Sequence, residues 1–163
     1  MMVNPANPKI EEVNDLSCAI GHVVVQWGFV EHNLYICLAY IYHNFGGKKL
    51  AKNQEISKFL KRQKRFLRDC FNNIDSLASF KDEGLSLLDR VATLANERDD
   101  IIHSTYAGLW DDSFKFYKFS IRDSDMIYIK KLKRDTNSIL QTRKKIQDLA
   151  ADLGNFVLRL SGK

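Results

Sequence analysis

The chain has 163 residues, 45% hydrophobic and 28% charged, with two prolines, eight glycines and a formal charge of +5. This composition predicts one globular domain with a hydrophobic core, excludes long linkers and low-complexity tails, and permits a nucleic-acid partner without requiring one. Cys18, Cys37 and Cys70 show no CxxC spacing, and the sequence shows neither a membrane-length apolar run nor a signal-peptide pattern. We therefore expect a cytoplasmic protein with buried, reduced thiols and no membrane partner.

The first predicted element is a long amphipathic helix from about Lys9 to His43. Apolar residues recur along it at alternating steps of three and four, the pattern of one helix face packed against a core. Gly21 and Gly28 lie within it, and each costs about 1 kcal/mol relative to alanine. Close approach of another backbone would compensate, and that backbone belongs either to the same chain or to a second copy.

The second predicted helix runs from about Asn53 to Asn72, after a turn at Asn44–Gly47. Its approach and outer face are densely basic, and between Lys48 and Arg68 the one acidic residue is Glu55. Such a run is either a solvated helix face or an electrostatic track for a phosphate backbone. The candidate phosphate-binding residues on it are Lys58, Lys61, Arg62 and Arg65.

A third helix is predicted from about Lys81 to Ile102 or His103, and the hydrophobic period then changes to two. Aromatic and β-branched residues at Ser113–Arg122 and Asp125–Lys133 predict a small β-hairpin with its turn at residues 122–125. A further short strand is predicted at Ala107–Trp110.

The last predicted helix begins at Asp135 or Thr136 and ends near Leu160, with Asp135, Thr136 or Asn137 as its N-cap. The predicted fold is therefore mainly α, a bundle of about four long helices within a single domain over residues 1–163. The hairpin is an insertion at about residues 106–133, before the last helix.

The end of the third helix carries residues that core packing does not require. Arg98 supplies a permanent charge that suits phosphate, and His103 supplies an imidazole, the group that exchanges protons near neutral pH. On one regular helix, side chains five residues apart point in directions about 140° apart and are separated by about 7.5 Å along the axis. They meet only if the helix ends near His103, or if a second copy faces the first. Asp99 lies four residues before His103, where a carboxylate can orient the imidazole.

Other kinds of site have no matching pattern. His22, His32 and His43 all fall on the first helix, and the nearest two are about 15 Å apart along its axis. Neither an HExxH motif nor a Cys/His spacing predicts a metal site, and no GxxxxGK[ST] frame predicts a phosphate-binding loop. No Ser or Cys nucleophile has a recognisable neighbour pattern. We therefore expect no metal and no cofactor.

The Arg-x4-His pattern at a helix end in a small α-bundle resembles the signature of the HEPN superfamily. In that signature an arginine precedes a polar residue and, a few positions later, a histidine; Arg98, Asp99 and His103 match its order and spacing. The resemblance implies a metal-independent endoribonuclease of toxin–antitoxin, phage-defence or CRISPR-linked systems, acting on RNA as a homodimer. It also implies a possible protein antitoxin or regulator. One branch has a tyrosine two residues after the histidine as a target of nucleotide modification, whereas this chain has Thr105 there and Tyr106 one position later.

The resemblance also implies a mechanism in which the RNA 2′-hydroxyl beside the scissile phosphate is the nucleophile. His103 from one or both subunits removes its proton or protonates the leaving 5′-oxygen, and Arg98 stabilises the charge of the transition state. Asp99 fixes the imidazole tautomer. The candidate substrate-binding residues beside them are Ser104, Thr105 and Tyr106.

The alternative is a non-catalytic, HEPN-like dimeric module that binds nucleic acid or protein. In such a module Arg98 and Asp99 form a structural ion pair, and His103 caps the helix C-terminus, where a cation is favoured. Two Arg98–His103 pairs converging in a solvent-accessible cleft would favour the nuclease. Burial of both residues, or a monomer, would favour the module.

Overall fold

Five α-helices and a three-stranded antiparallel sheet make up the described part of the chain. The computed structural model describes residues 9–51, 55–110, 113–122 and 126–162. The helices are α1 (Ile10–Asn44), α2 (Gly47–Leu50), α3 (Leu60–Asn73), α4 (Lys81–Ile102) and α5 (Thr136–Leu160), and a 3-10 helix (Asp75–Phe80) precedes α4. The strands are β1 (Thr105–Trp110), β2 (Ser113–Arg122) and β3 (Met126–Arg134). The predicted fold class, mainly α with a small sheet before the last helix, is confirmed.

The chain divides into two compact units. The first contains the described parts of Met1–Val25 and Leu94–Lys145, and the second those of Gln26–Thr93 and Ile146–Lys163. The first unit therefore holds the sheet and the end of α4, and the second holds α2 and α3. The single domain over residues 1–163 stays a prediction. No helix among the described residues is long and apolar enough to cross a membrane.

The core of the second unit is built from the apolar sides of its helices. Phe156 packs edge-on against Phe71 and Phe80, with ring centroids 5.9 and 6.0 Å apart. A Cβ added at Gly84 would lie 2.5 Å from Cζ of Phe71, so glycine lets α4 and the Phe71 ring pack this closely.

The helix α3 begins later than the sequence predicted. Residues 53 and 54 of the predicted helix lie outside the described residues, and residues 55–59 are not helical. Ser57 accounts for the late start, because its hydroxyl accepts a hydrogen bond from Phe59 N at 3.2 Å and its carbonyl accepts one from Gln63 Nε2 at 2.9 Å. Such local bonds compete with helical ones. The approach that carries Lys58 is therefore irregular rather than helical.

The sheet of the first unit has the strand order β1-β2-β3. β2 pairs with β3 from Phe114 opposite Arg134 to Arg122 opposite Met126. β1 is longer than predicted and has an irregularity between Tyr106 and Gly108. The predicted hairpin and the short strand predicted before it therefore form one three-stranded sheet. Of the predicted turn at residues 122–125, residues 123–125 lie outside the described residues.

The start of α5 is fixed by one of the three predicted N-caps. Asp135 Oδ1 accepts a hydrogen bond from Ser138 N at 2.6 Å, which satisfies a backbone donor of the first helical turn. The same hydrogen bond holds the pKa of the Asp135 carboxyl below its usual range. Asp135 therefore serves as the N-cap, and the predicted start of α5 is confirmed.

The three cysteines differ in environment. Cys37 and Cys70 are buried, and burial raises the pKa of each thiol to about 12. Cys18 is exposed, so the prediction of buried thiols is wrong for that residue. Its position on α1 lies outside the buried stripe that includes Leu16, Ala19 and Val23.

Candidate functional site at the end of α4

The candidate site forms where α4 ends and the chain turns into β1. The last helical residue is Ile102, and His103 N still donates to Asp99 O at 3.0 Å. Ser104 Oγ donates to Asp100 O at 2.6 Å. The first is still a helical hydrogen bond from residue i to residue i−4, and the second is a side-chain bond to a carbonyl of the last helical turn. The chain therefore leaves the helical path after His103 N has made this last helical bond.

This departure brings Arg98 and His103 together within one chain. Arg98 Nη1 and His103 Nε2 are 3.4 Å apart, although five residues on a continuous helix would place their side chains about 140° apart. Of the two ways in which they can meet, a helix end and a second copy, the helix end is observed. We refer to Arg98 and His103 below as the α4 pair.

Asp99 contacts both members of the α4 pair, but unequally. Arg98 Nη1 donates to Asp99 Oδ1 at 2.9 Å, whereas the same oxygen is 3.8 Å from His103 Nε2. The longer distance exceeds that of a hydrogen bond but leaves a direct electrostatic attraction to a charged imidazole. The carboxylate therefore orients the guanidinium in this structure, and its predicted role in fixing the imidazole tautomer stays a prediction.

The two members of the α4 pair differ in exposure. The side chains of Arg98, Asp99 and His103 are 23%, 46% and 59% exposed, and Arg98 Nε is buried. The imidazole is therefore open to solvent, whereas the guanidinium is only partly accessible. Burial of both residues, which would have favoured the binding module, is not observed.

Asp100 connects the end of α4 to the sheet. Its Oδ1 accepts a hydrogen bond from Lys118 Nζ at 3.0 Å, and its Oδ2 accepts one from Lys130 Nζ at 2.5 Å. Burial would raise the pKa of the Asp100 carboxyl, but the hydrogen bonds and charges of the two lysines outweigh it and hold the pKa below its usual range. This two-lysine clamp fixes the turn of helix that carries the α4 pair.

Sequence reasoning missed Lys118 and Lys130. Lys118 shares a face with the buried Phe114 and Phe116, but Tyr117 and Phe119 make the other face of β2 aromatic as well, so alternation in the sequence does not show which face is buried. Their meeting at one carboxylate depends on the register that places Lys118 opposite Lys130, and register is set by the turn and by burial rather than by local sequence.

The three predicted substrate-binding residues after His103 have different surroundings. Ser104 is half-buried and its hydroxyl proton is donated to Asp100 O. Thr105 is exposed at the start of β1. Tyr106 is partly exposed, and burial and the charge of Glu12 raise the pKa of its phenol. Thr105 and Tyr106 are therefore the exposed members of this group, whereas the Ser104 hydroxyl is engaged with the helix end.

The four basic candidates of α3 and its approach belong to the second unit and are exposed. The guanidinium of Arg62 lies over the Phe59 ring, 5.5 Å from its centroid. Lys58 and Arg62 line an open pocket of about 470 Å³. The four residues are Lys58, Lys61, Arg62 and Arg65.

Among the residues that the structure describes, no group of three or more His, Cys, Asp or Glu side chains is placed to hold a metal ion.

Comparison of the chain with protein-family models, curated proteins and solved structures found no match. The α4 pair is therefore interpreted from its own geometry and chemistry.

Proposed function

We propose that the chain is a HEPN-type, metal-independent endoribonuclease that acts on RNA at the α4 pair. The observation that carries this proposal is the 3.4 Å approach of Arg98 Nη1 to His103 Nε2 at an exposed helix end. A permanent cation beside a group that accepts and donates protons suits phosphoryl transfer, because one binds phosphate oxygens while the other moves the proton. The match of Arg98, Asp99 and His103 to the superfamily signature supports the same assignment.

The side chains suggest a balanced reaction. An imidazole takes the proton of the RNA 2′-hydroxyl, the 2′-oxygen attacks phosphorus, and the bond from phosphorus to the 5′-oxygen breaks. The 5′-oxygen receives a proton from an imidazolium, so the products are a 2′,3′-cyclic phosphate and a 5′-hydroxyl. Arg98 donates to the non-bridging oxygens, where negative charge grows in the transition state. A second copy of His103 would allow one imidazole to accept a proton while another donates one.

The proposed homodimer is supported by the exposed side of α1. A Cβ added at Gly21 or Gly28 would meet nothing within 4 Å among the described residues. The close backbone approach that would explain these two glycines therefore does not come from the described part of the same chain. Val25, which lies between them on the helix, is 59% exposed. A second copy along α1 would bury this apolar side and compensate for the helix-weakening glycines.

The proposed biological role is that of a toxin or defence effector in the cytoplasm. This part of the proposal comes from the HEPN resemblance, as does control by a protein antitoxin or regulator. Because Thr105 occupies the position of the modified tyrosine, we expect any such control to act by protein binding rather than by modification of Tyr106.

The test is RNA cleavage in the presence of EDTA. We expect the wild-type protein to cleave single-stranded RNA to cyclic-phosphate ends and to leave DNA of the same sequence intact, because DNA lacks the nucleophile. The variants His103→Ala and Arg98→Ala should each reduce the rate at least about 100-fold. His32→Ala, which removes an exposed histidine of α1, is the matched control and should cleave at the wild-type rate. Wild-type cleavage by purified His103→Ala protein would refute the assignment.

A non-catalytic binding module remains the second candidate, because Arg98 lies closer to Asp99, at 2.9 Å, than to His103. The substitution Arg98→Lys separates the two functions. Lysine keeps the charge that an ion pair needs but loses the planar fork that binds two phosphate oxygens at once. If the chain is a nuclease, Arg98→Lys should lose most of the cleavage activity and keep the wild-type stability. A wild-type protein that binds RNA and never cleaves it would instead establish the module.

A further inference from the structure

The sheet of the first unit has one face packed in the core and one open face. Phe114 and Phe116 of β2 are buried, and because side chains alternate along a strand, Tyr117 and Phe119 lie on the opposite face. Directly paired residues of antiparallel strands share a face. Lys131 and Ile129, which pair with Tyr117 and Phe119, therefore lie on the open face as well. Lys133 lies two residues beyond Lys131 and on the same face. The outer sheet face is defined here as Tyr117, Phe119, Ile129, Lys131 and Lys133.

The outer sheet face combines one exposed ring, that of Phe119, and one half-buried ring, that of Tyr117, with positive charge. Phe119 is 55% exposed and Ile129 is 49% exposed, and Lys131 and Lys133 are both exposed. None of the residues in β1, β2 or β3 is acidic. With exposed lysines and no acidic residue on these strands, charge complementarity favours a polyanion as the partner.

Single-stranded RNA fits this chemistry better than a duplex does. In a duplex the bases are stacked on each other and cannot reach a protein ring, whereas unpaired bases stack on exposed aromatic side chains. Lysines two residues apart on a strand are separated by about 7 Å and can follow successive phosphates of one backbone. An aromatic ring beside such lysines therefore resembles the stacking platforms that hold single strands.

The outer sheet face also begins beside the α4 pair. Thr105, two residues after His103, pairs with Tyr117, so the first residue of β1 shares the face with the stacking rings. All of these residues belong to the first unit. A single RNA strand that lies along the sheet would therefore run towards the end of α4.

We propose that the outer sheet face binds single-stranded RNA, with bases stacked on Phe119 and Tyr117 and phosphates held by Lys131 and Lys133. Its role in leading the strand to the α4 pair rests on the proposed nuclease function, whereas the binding itself does not. The surface would thus hold the RNA strand beside the α4 pair.

Binding is measured with the full chain carrying His103→Ala, so that cleavage does not interfere, and with a fluorescein-labelled single-stranded RNA of twelve nucleotides. We expect Phe119→Leu to weaken binding about fivefold or more in fluorescence anisotropy, and Phe119→Tyr to bind as the parent does, because stacking needs a ring. Tyr128→Leu is the matched control: Tyr128 is 49% exposed on the same sheet but pairs with Ser120, on the opposite face. It should bind as the parent does.

The lysines are tested through the salt dependence. Lys131→Ala should reduce the slope of log Kobs against log salt concentration by about 0.7, the value for one phosphate contact on a single strand. Lys144→Ala, at an exposed position of α5, should leave the slope unchanged. Equal melting temperatures of parent and variants show that each variant is folded.

The outcomes separate this inference from the nuclease proposal. Parent-like affinity of both Phe119→Leu and Lys131→Ala would overturn the outer-face inference, whether or not the wild-type protein cleaves RNA. Tighter binding of duplex RNA than of single-stranded RNA would also overturn the inference. The same holds if the outer sheet face binds a protein and does not bind RNA. Weakened binding by these variants together with a wild-type protein that never cleaves would support the face and refute the nuclease.

Discussion

The clamp that Lys118 and Lys130 form on Asp100 gives the most direct test of how the site is held. We predict that Asp100→Asn lowers the free energy of unfolding by about 2 kcal/mol. Hydrogen bonds between charged groups contribute about 1.5–3 kcal/mol each, so two set an upper limit of about 3–6 kcal/mol. The side chains of Lys118 and Lys130 are 27% and 47% exposed, and solvent screening reduces this limit. Asparagine also keeps one acceptor oxygen, worth about 1 kcal/mol.

The assay is urea unfolding at pH 7, followed by circular dichroism, with thermal melting as a second measurement. A loss of 2 kcal/mol corresponds to a fall in melting temperature of about 4–8 °C for a chain of this length. Asp89→Asn is the control, because Asp89 forms a 2.6 Å ion pair with Arg68 but is 68% exposed. Such a surface pair contributes at most about 1 kcal/mol.

The difference in unfolding free energy between the wild type and Asp100→Asn should depend on pH in a defined direction. Since the lysines lower the pKa of Asp100, the folded state holds this proton less tightly than the unfolded state does. The contribution of Asp100 to stability is therefore complete above about pH 4, the ordinary carboxyl range, and is lost as the pH falls through the folded-state pKa. The difference between wild type and Asp100→Asn should shrink in acid. A difference that grows in acid, or that equals the Asp89→Asn control at pH 7, would refute the clamp.

Two further predictions concern the N-cap of α5 and the thiols. Asp135→Ala should lower the free energy of unfolding in urea by about 1 kcal/mol, because Ser138 N loses its acceptor, while Asp135→Asn should retain most of it. Since the pKa of Asp135 is lowered, the part of the effect that depends on its charge should be lost as the pH falls below about 4, and a destabilisation that grows in acid would contradict the cap. Maleimide at pH 7 should label Cys18 alone in the folded protein, because burial raises the pKa of Cys37 and Cys70 to about 12 and thiolates are the reactive form. Mass spectrometry should then show one adduct before denaturation and three after it, and a rapid second adduct would contradict this.

The long helices were readable from the sequence because their signal is repeated over many turns. The predicted helix from about Lys9 to His43 corresponds to Ile10–Asn44, and the predicted end of the third helix near Ile102 is the observed end of α4. The start of α3 was not readable, because the hydrogen bonds of Ser57 compete locally with the helix. Propensity and periodicity average over a window and do not detect one such side chain.

The sequence by itself determined the candidate chemistry: Arg98, Asp99 and His103, their order and spacing, and the helix end that carries them. Only the tertiary structure decided that Arg98 and His103 meet within one chain and that Asp99 bonds to the guanidinium rather than to the imidazole. Helical periodicity depends on residues that are close together in the sequence, so a short stretch of sequence is enough to predict a helix. The direction in which the chain leaves α4 depends on distant partners such as Lys118 and Lys130, and no local pattern specifies which of them reaches the helix end.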